Sequence, residues 1–352
     1  MKQKIKVYRE RRRRLKEIAR ARKEGVAPRI TNETVAEARE DVLAGARKLT
    51  YPLAHSKHRV VLTSTLITLL VLLAFLVYML LTLYRFKSTS RFTYQVTQVL
   101  PFPIARVAND FVPYENYLFE LNRYIFYYDK VEGVDFSNPD YKPQLDDQKK
   151  KILARVVDLS YVRKIAADKN ITVSDEEVDR KINLLKSQNK LGNNDKVFND
   201  TLKDFYNWSP SDFRRSIRND ILASKVLAVI DTDARTKLNT ASESLKNGTD
   251  FAAVVKQYSD DAATKESGGE LKSLIDPNDR AVDTLVVDAL AKLKPGQLSE
   301  PINTGYGFEI LKKLEDKDGK YRVAHIFVAF KELSVALNEQ KAVSKATTYI
   351  KL

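Results

Sequence analysis

The chain has 352 residues, a net charge of +14, no cysteine and three histidines, His55, His58 and His325. This excludes disulfides, thiol chemistry and cysteine-ligated zinc, and it excludes a multi-histidine metal site after residue 58. The charge is unevenly placed: residues 1–59 hold 18 basic and 7 acidic side chains, a net of +11, while the rest of the chain is nearly balanced.

Lys2 to Lys23 is a dense basic run containing Arg11 to Arg14. It reads as a topology signal that also lies on anionic lipid. Nucleic-acid or ribosome contact is the lesser reading, and no specific nucleic-acid partner is expected. A short helix over Glu33 to Arg47 is expected, capped by Thr31 or Asn32, with Pro52 breaking the chain before the next element.

Val60 to Tyr84 is 25 residues long and contains no Asp, Glu, Lys, Arg or His. As a helix it would reach roughly 37 Å, enough to cross a hydrocarbon core of about 30 Å. The alternatives are a buried core helix and a cleaved signal peptide. Core helices seldom run this long without a charge, and a 59-residue charged segment precedes this one. The positive-inside rule then places residues 1–59 in the cytoplasm and residues 85–352 outside, on a single-pass anchor in contact with membrane lipid.

Residues 85–100 read as a polar linker rich in Ser and Thr. A short strand at Ile104 to Val107, a turn at Asn109-Asp110 and a helix from Tyr114 follow. Asp146 to Lys169 has apolar residues near a 3.6 period. Ser174-Asp-Glu-Glu177 is a capping box, and Ser209-Pro210 is a cap with Pro at the first helical position. None of these helices carries a catalytic constellation.

Residues 101–232 resemble the N-terminal domain of SurA and PrsA-type foldases. The resemblance rests on Ile104-Ala-Arg-Val107 with Tyr114 and Tyr117, on Ile171 to Val178, and on Trp208-Ser-Pro-Ser-Asp-Phe213. It implies a helical domain that holds unfolded, newly exported polypeptides.

From Asp233 the pattern changes to helices at Ala234 to Lys246, after Thr249 and around Val282 to Leu293, then strands at Tyr306 to Leu314 and Tyr321 to Phe330. A three-residue loop, Lys317-Asp-Gly319, is expected to join the strands, with Glu309 facing Phe327 and His325 on the diagonal; the competing register, a two-residue Asp318-Gly319 turn, would put Glu309 and His325 on opposite faces. Residues alone support an α+β module with an exposed groove. Gly248-Thr-Asp-Phe251, Tyr258-Ser-Asp-Asp261, Gly268-Gly-Glu-Leu271, Leu293-Lys-Pro-Gly296, Ser299-Glu-Pro301 and Thr304-Gly-Tyr-Gly307 resemble the parvulin-type peptidyl-prolyl isomerase domain. This assigns residues 233–330 to a parvulin-like antiparallel sheet with helices, and leaves residues 331–352 as a C-terminal helix.

The resemblance implies an X-Pro isomerase that needs no cofactor. The family's Cys or Asp position is Asp261, its pocket Leu is Leu271 and its Thr before the last strand is Thr304. Glu309 stands where the family has a His, and Val282 and Val286 fall at the pocket Met and Phe. Phe308 joins them as a substrate-binding candidate. The family's opening strand is missing before Ala234, and Val323-Ala-His-Ile-Phe-Val328 appears afterwards instead. Either the domain is circularly permuted, or a second copy begins at Val323 and stops after its first helix, Lys341 to Leu352. His325 is then a catalytic candidate or a locally bonded core residue, and Glu309 a site carboxylate or a solvent-facing strand residue. The functional readings are a foldase and a catalytically inactive holdase.

Overall fold

The structure is a computed structural model and describes residue 20, residues 31–50, 52–188 and 194–352. The basic run Lys2 to Lys23 lies, but for Arg20, outside the described residues. The chain divides into two units, Met1–Leu80 and Leu81–Leu352.

The first unit holds helices α1, Asn32–Thr50, and α2, Pro52–Leu80. The Thr31 hydroxyl accepts from Thr34 N and the Thr34 hydroxyl from Thr31 N, which satisfies amide groups left free at a helix start. Pro52 opens α2 rather than breaking the chain, since a helix tolerates Pro in its first turn. Within Val60–Arg85 an 18-residue stretch reaches a mean hydropathy of 2.8, and its Leu66, Leu70 and Leu73 side chains are exposed.

The second unit begins with one π turn, Leu81–Arg85. The expected linker is half helical: α3 spans Arg91–Val99, with the Ser90 side chain capping Thr93 N. A hairpin of β1, Pro103–Val107, and β2, Asp110–Pro113, leads into α4, Tyr114–Lys130. Then come α5, Lys142–Asp168, α6, Asp175–Ser187, α7, Asp195–Tyr206, and α8, Pro210–Ile230. The Ser174 and Ser209 caps both form reciprocal capping boxes. Phe119, Val178, Ile182, Phe198, Leu202, Trp208 and Phe213 make one core among these helices.

A second core is built on the sheet that follows. Helices α9, Thr232–Lys246, and α10, Phe251–Tyr258, cover one face through Leu238, Ala241, Val254 and Val255 against Ile310, Ile326 and Val328. Helix α11, Thr284–Ala291, lies on the other side of the sheet, where Leu290 packs with Leu311 and Val323. The strands are β3, Ile302–Asn303, β4, Gly307–Lys317, and β5, Lys320–Ala329, in the order β3-β4-β5.

The β4–β5 turn has two residues, Asp318 and Gly319, not three. Both have positive φ, 51° and 74°, which makes the tight turn that matches strand twist. An irregularity between Lys313 and Glu315 then shifts the register by one residue. Beyond it Glu309 faces Phe327, as expected, although the turn differs.

The free edge of β5 is occupied by the segment 259–275. Asp260 N donates to Phe327 O, His325 N to Gly269 O and Leu271 N to Val323 O, and Ile275 pairs with Tyr321. A Cβ on Gly269 would lie 2.3 Å from the His325 carbonyl, so only glycine allows this approach. The last strand of the module is therefore hydrogen-bonded on both sides, by β4 and by this segment.

The C-terminal helix expected over Lys341 to Leu352 does not form. Residues 333–336 and 338–343 are short helices, α12 and α13, and Thr347–Thr348 is β6, which pairs with β1. The segment returns to the helical region: Lys341 pairs with buried Asp158, and Tyr349 N donates to Ile104 O. Where the module joins it, buried Asp231 caps Ala234 N at 3.1 Å and accepts from Lys331 N at 2.7 Å.

Candidate functional site

Alternation along β4 and β5 decides which side chains meet. Glu309, Leu311, Val323 and His325 share the α11 face, and Phe308, Ile310, Ala324 and Ile326 share the α9/α10 face. Phe308 packs edge-on against Phe330 with ring centroids 4.9 Å apart, so it is corrected out of the candidate pocket. It could not share a face with Glu309, because adjacent strand residues point to opposite sides.

His325 Nδ1 lies 2.5 Å from Glu309 Oε1, and its Nε2 lies 2.9 Å from Asp261 Oδ2. The side chains of His325, Glu309 and Asp261 are 11%, 14% and 25% exposed, enough to be reached and little enough to weaken solvent screening. Burial alone pushes the imidazole pKa down. The hydrogen bonds and charges of Glu309 and Asp261 outweigh it, and the net direction is up. Asp261 is held below the usual carboxylate value, first by the Thr264 hydroxyl, against burial, and then by His325.

Thr264 is the residue that sequence reasoning missed. It is buried, its hydroxyl donates to Asp261 Oδ2 at 2.5 Å, and the same oxygen lies 3.1 Å from His325 Nε2. Because its one proton goes to Asp261, it offers His325 a lone pair, so the arrangement favours a proton on Nε2. The available signal was the Asp-x-x-Thr spacing of Asp261 and Thr264, which fits a local turn: Asp261 also accepts from Ala263 N at 3.1 Å.

Leu271, Val282 and Val286 come together on the same sheet face, packed against Leu290, Leu311 and Val323. Thr304 does not join His325. Its hydroxyl and amide both bond the Gly307 carbonyl, which shapes the turn from β3 into β4.

Two family profiles match the chain: a SurA-like N-terminal domain over residues 55–227, and a PPIC-type PPIASE domain over residues 228–315. The chain joins a SurA-like domain to a parvulin-type isomerase domain. The second match stops before β5, so the strand bearing His325 lies beyond it. Foldase protein PrsA 3 of Bacillus cereus is 30% identical over 167 residues, 42% of this chain and 56% of that protein. Foldase protein PrsA of Caldanaerobacter subterraneus is 30% identical over 199 residues, 51% of this chain and 61% of that one. The chain thus spans somewhat over half the length of these curated relatives. A crystal structure of peptidylprolyl isomerase PrsA from Bacillus anthracis aligns at 21% identity with a TM-score of 0.17, covering 55% of this chain and 90% of that one.

Proposed function

We propose that this parvulin-type chain is a membrane-anchored foldase outside the cytoplasm that isomerises X-Pro bonds in unfolded exported polypeptides. The observation that carries the reading is the cluster of His325, Glu309 and Asp261 on the sheet face that also bears Leu271, Val282 and Val286. No bond breaks in this reaction. The enzyme must lower a rotation barrier of about 18–20 kcal/mol.

A proline ring seated against Leu271, Val282 and Val286 would be held while the preceding residue turns. The polar cluster beside it would interact more strongly with the twisted amide than with the planar one, which is what accelerates the step. His325 and Asp261 are assigned to the peptide. Glu309 stands in for the family's second histidine by sharing the Nδ1 proton, and Thr264 positions Asp261 and His325.

We read the module as circularly permuted, with β5 filling the place of the missing opening strand. Its hydrogen bonding on both sides, to β4 and to the segment 259–275 of the same module, supports this over a second copy. Residues 101–232 would hold the client, with residues 331–352 closing that domain.

Val60 to Tyr84 would cross the membrane, with residues 1–59 inside on account of their net charge of +11. Protease added to intact cells stripped of outer layers should cut the isomerase module and spare the tail. Protection of the module would reverse this topology.

A second reading, a holdase without catalysis, is favoured by the two small valines where the family has larger pocket residues. An isomerisation assay beside an aggregation-suppression assay separates the two. Suppression without acceleration of X-Pro rotation would favour the holdase.

A further inference from the structure

Helix α3 is built the wrong way round for a helix facing water. Its inward side is polar: Thr93 is 1% and Thr97 3% exposed. The Thr93 hydroxyl bonds Ser90 Oγ at 2.8 Å, and the Thr97 hydroxyl donates to Tyr94 O at 2.7 Å. Its outward side carries Phe92 and Val99, 50% and 80% exposed and seven residues apart on one side of the helix, with exposed Gln95 between them and Arg91 and Gln98 beside them. Phe86, in the turn before it, is 73% exposed.

The charge along this stretch of sequence is of one sign, and Glu115, bonded by Tyr94 at 3.3 Å, is the acid that reaches the helix from α4. From Tyr84 to Asn109 there is no Asp or Glu, while Arg85, Lys87, Arg91 and Arg106 are present. Arg85 and Arg91 are exposed, and Lys87 Nζ donates to the Lys351 carbonyl.

The segment is also tied to the end of the apolar stretch. The Tyr84 hydroxyl donates to Pro103 O at 2.5 Å, and the Tyr114 hydroxyl donates to Leu83 O at 3.0 Å. The Tyr84 and Tyr114 rings meet edge-on at 5.9 Å. Leu83 and Tyr84 are thus bonded to β1 and α4 with no loose tether between.

We propose that α3 and the turn before it form a membrane-surface contact. Phe86, Phe92 and Val99 enter the headgroup boundary, while Arg85 and Arg91 lie among anionic lipid phosphates. The inference rests on the reading of Val60 to Tyr84 as a span. If that stretch crosses a bilayer, Phe86 emerges two residues after its end, and this short connection brings the apolar side of α3 to the interface. Exposed apolar groups flanked by cations, with the neighbouring acid Glu115 held inward by Tyr94 and Arg215, have the chemistry of an interfacial helix. A client polypeptide could also cover an apolar helix side, but it would not account for the cations or for the bonds to Leu83 and Tyr84.

The absence of cysteine makes the test direct. Full-length Phe92→Cys, Val99→Cys and, as an exposed control on α7, Val197→Cys are spin-labelled and reconstituted in nanodiscs with or without phosphatidylglycerol. Accessibility to oxygen and to a water-soluble nickel chelate is then read. Labels at 92 and 99 should favour oxygen several-fold over the label at 197, more so with the anionic lipid. Arg85→Glu with Arg91→Glu should reverse that preference. Nickel accessibility at 92 and 99 equal to that at 197 would overturn the proposal. So would labels that are shielded only when unfolded polypeptide is added, which would identify a client site. Failure of the full chain to float with lipid vesicles would instead defeat the span, and is read separately from the labels.

Discussion

His325 and Glu309 are not cross-strand partners, yet Nδ1 and Oε1 lie 2.5 Å apart. Leu311 faces His325 and Phe327 faces Glu309, so the contact runs along the diagonal. A carboxylate there favours the charged imidazole. Replacing Glu309 by Gln should therefore lower the His325 pKa, while Asp261 keeps part of the elevation. An NMR titration of the imidazole in both proteins checks this. An unchanged value would remove Glu309 from the site.

The same shifts give a stability profile. His325 is raised above its ordinary 6.5, so its contribution is complete below that pH and fades as pH rises through the elevated value. Asp261 is lowered from 3.8, so its contribution is complete above that pH and fades as pH falls through the depressed value. Subtracting the thermal-midpoint profile of His325→Gln from that of the wild type should leave a difference largest between about pH 4 and 6.5. A flat difference would contradict the coupling.

Thr264 makes a sharper claim, because its hydroxyl is the first cause of the depressed Asp261 value. Thr264→Val should raise the Asp261 pKa toward the ordinary carboxylate value, and Thr264→Ser should restore the depression. A packing role alone would let Val and Ser act alike on the carboxylate titration, measured by 13C NMR.

Truncation after Glu315 tests the two-sided pairing of β5. It removes Val323, Ile326 and Val328, all buried, at a cost of about 5–8 kcal/mol from their burial alone. That is comparable to a whole domain's stability. Calorimetry should show the module's transition lost. A retained cooperative transition for residues 233–315 would mean that β5 is dispensable.

Much of this was legible because it is local. Ser174 with Glu177, and Ser209 followed by Pro210, announce helix starts through their own hydrogen bonds. The turn takes the competing two-residue register, which Asp318-Gly319 itself suits, and the irregularity after Lys313, which has no residue signature, returns Glu309 and His325 to one face. The two departures cancel at Glu309. Alternation already excluded Phe308 beside Glu309. Helix α3 was missed because its Thr residues and the Ser residues before it read as linker, while Phe92 and Val99 face outward and Thr93 and Thr97 inward. The C-terminal segment forms no helix because its register is set by contacts with β1 and α5, far away in sequence.

The central claim is that the His325 face turns X-Pro bonds, and a protease-coupled isomerisation assay on the full chain in nanodiscs tests it most directly. The wild type should accelerate a proline peptide over the uncatalysed rate. His325→Ala and Leu271→Ala should each lower kcat/KM by about tenfold or more, which corresponds to about 1.4 kcal/mol of lost transition-state stabilisation. Wild-type protein no faster than buffer, or variants as fast as wild type, would contradict the account.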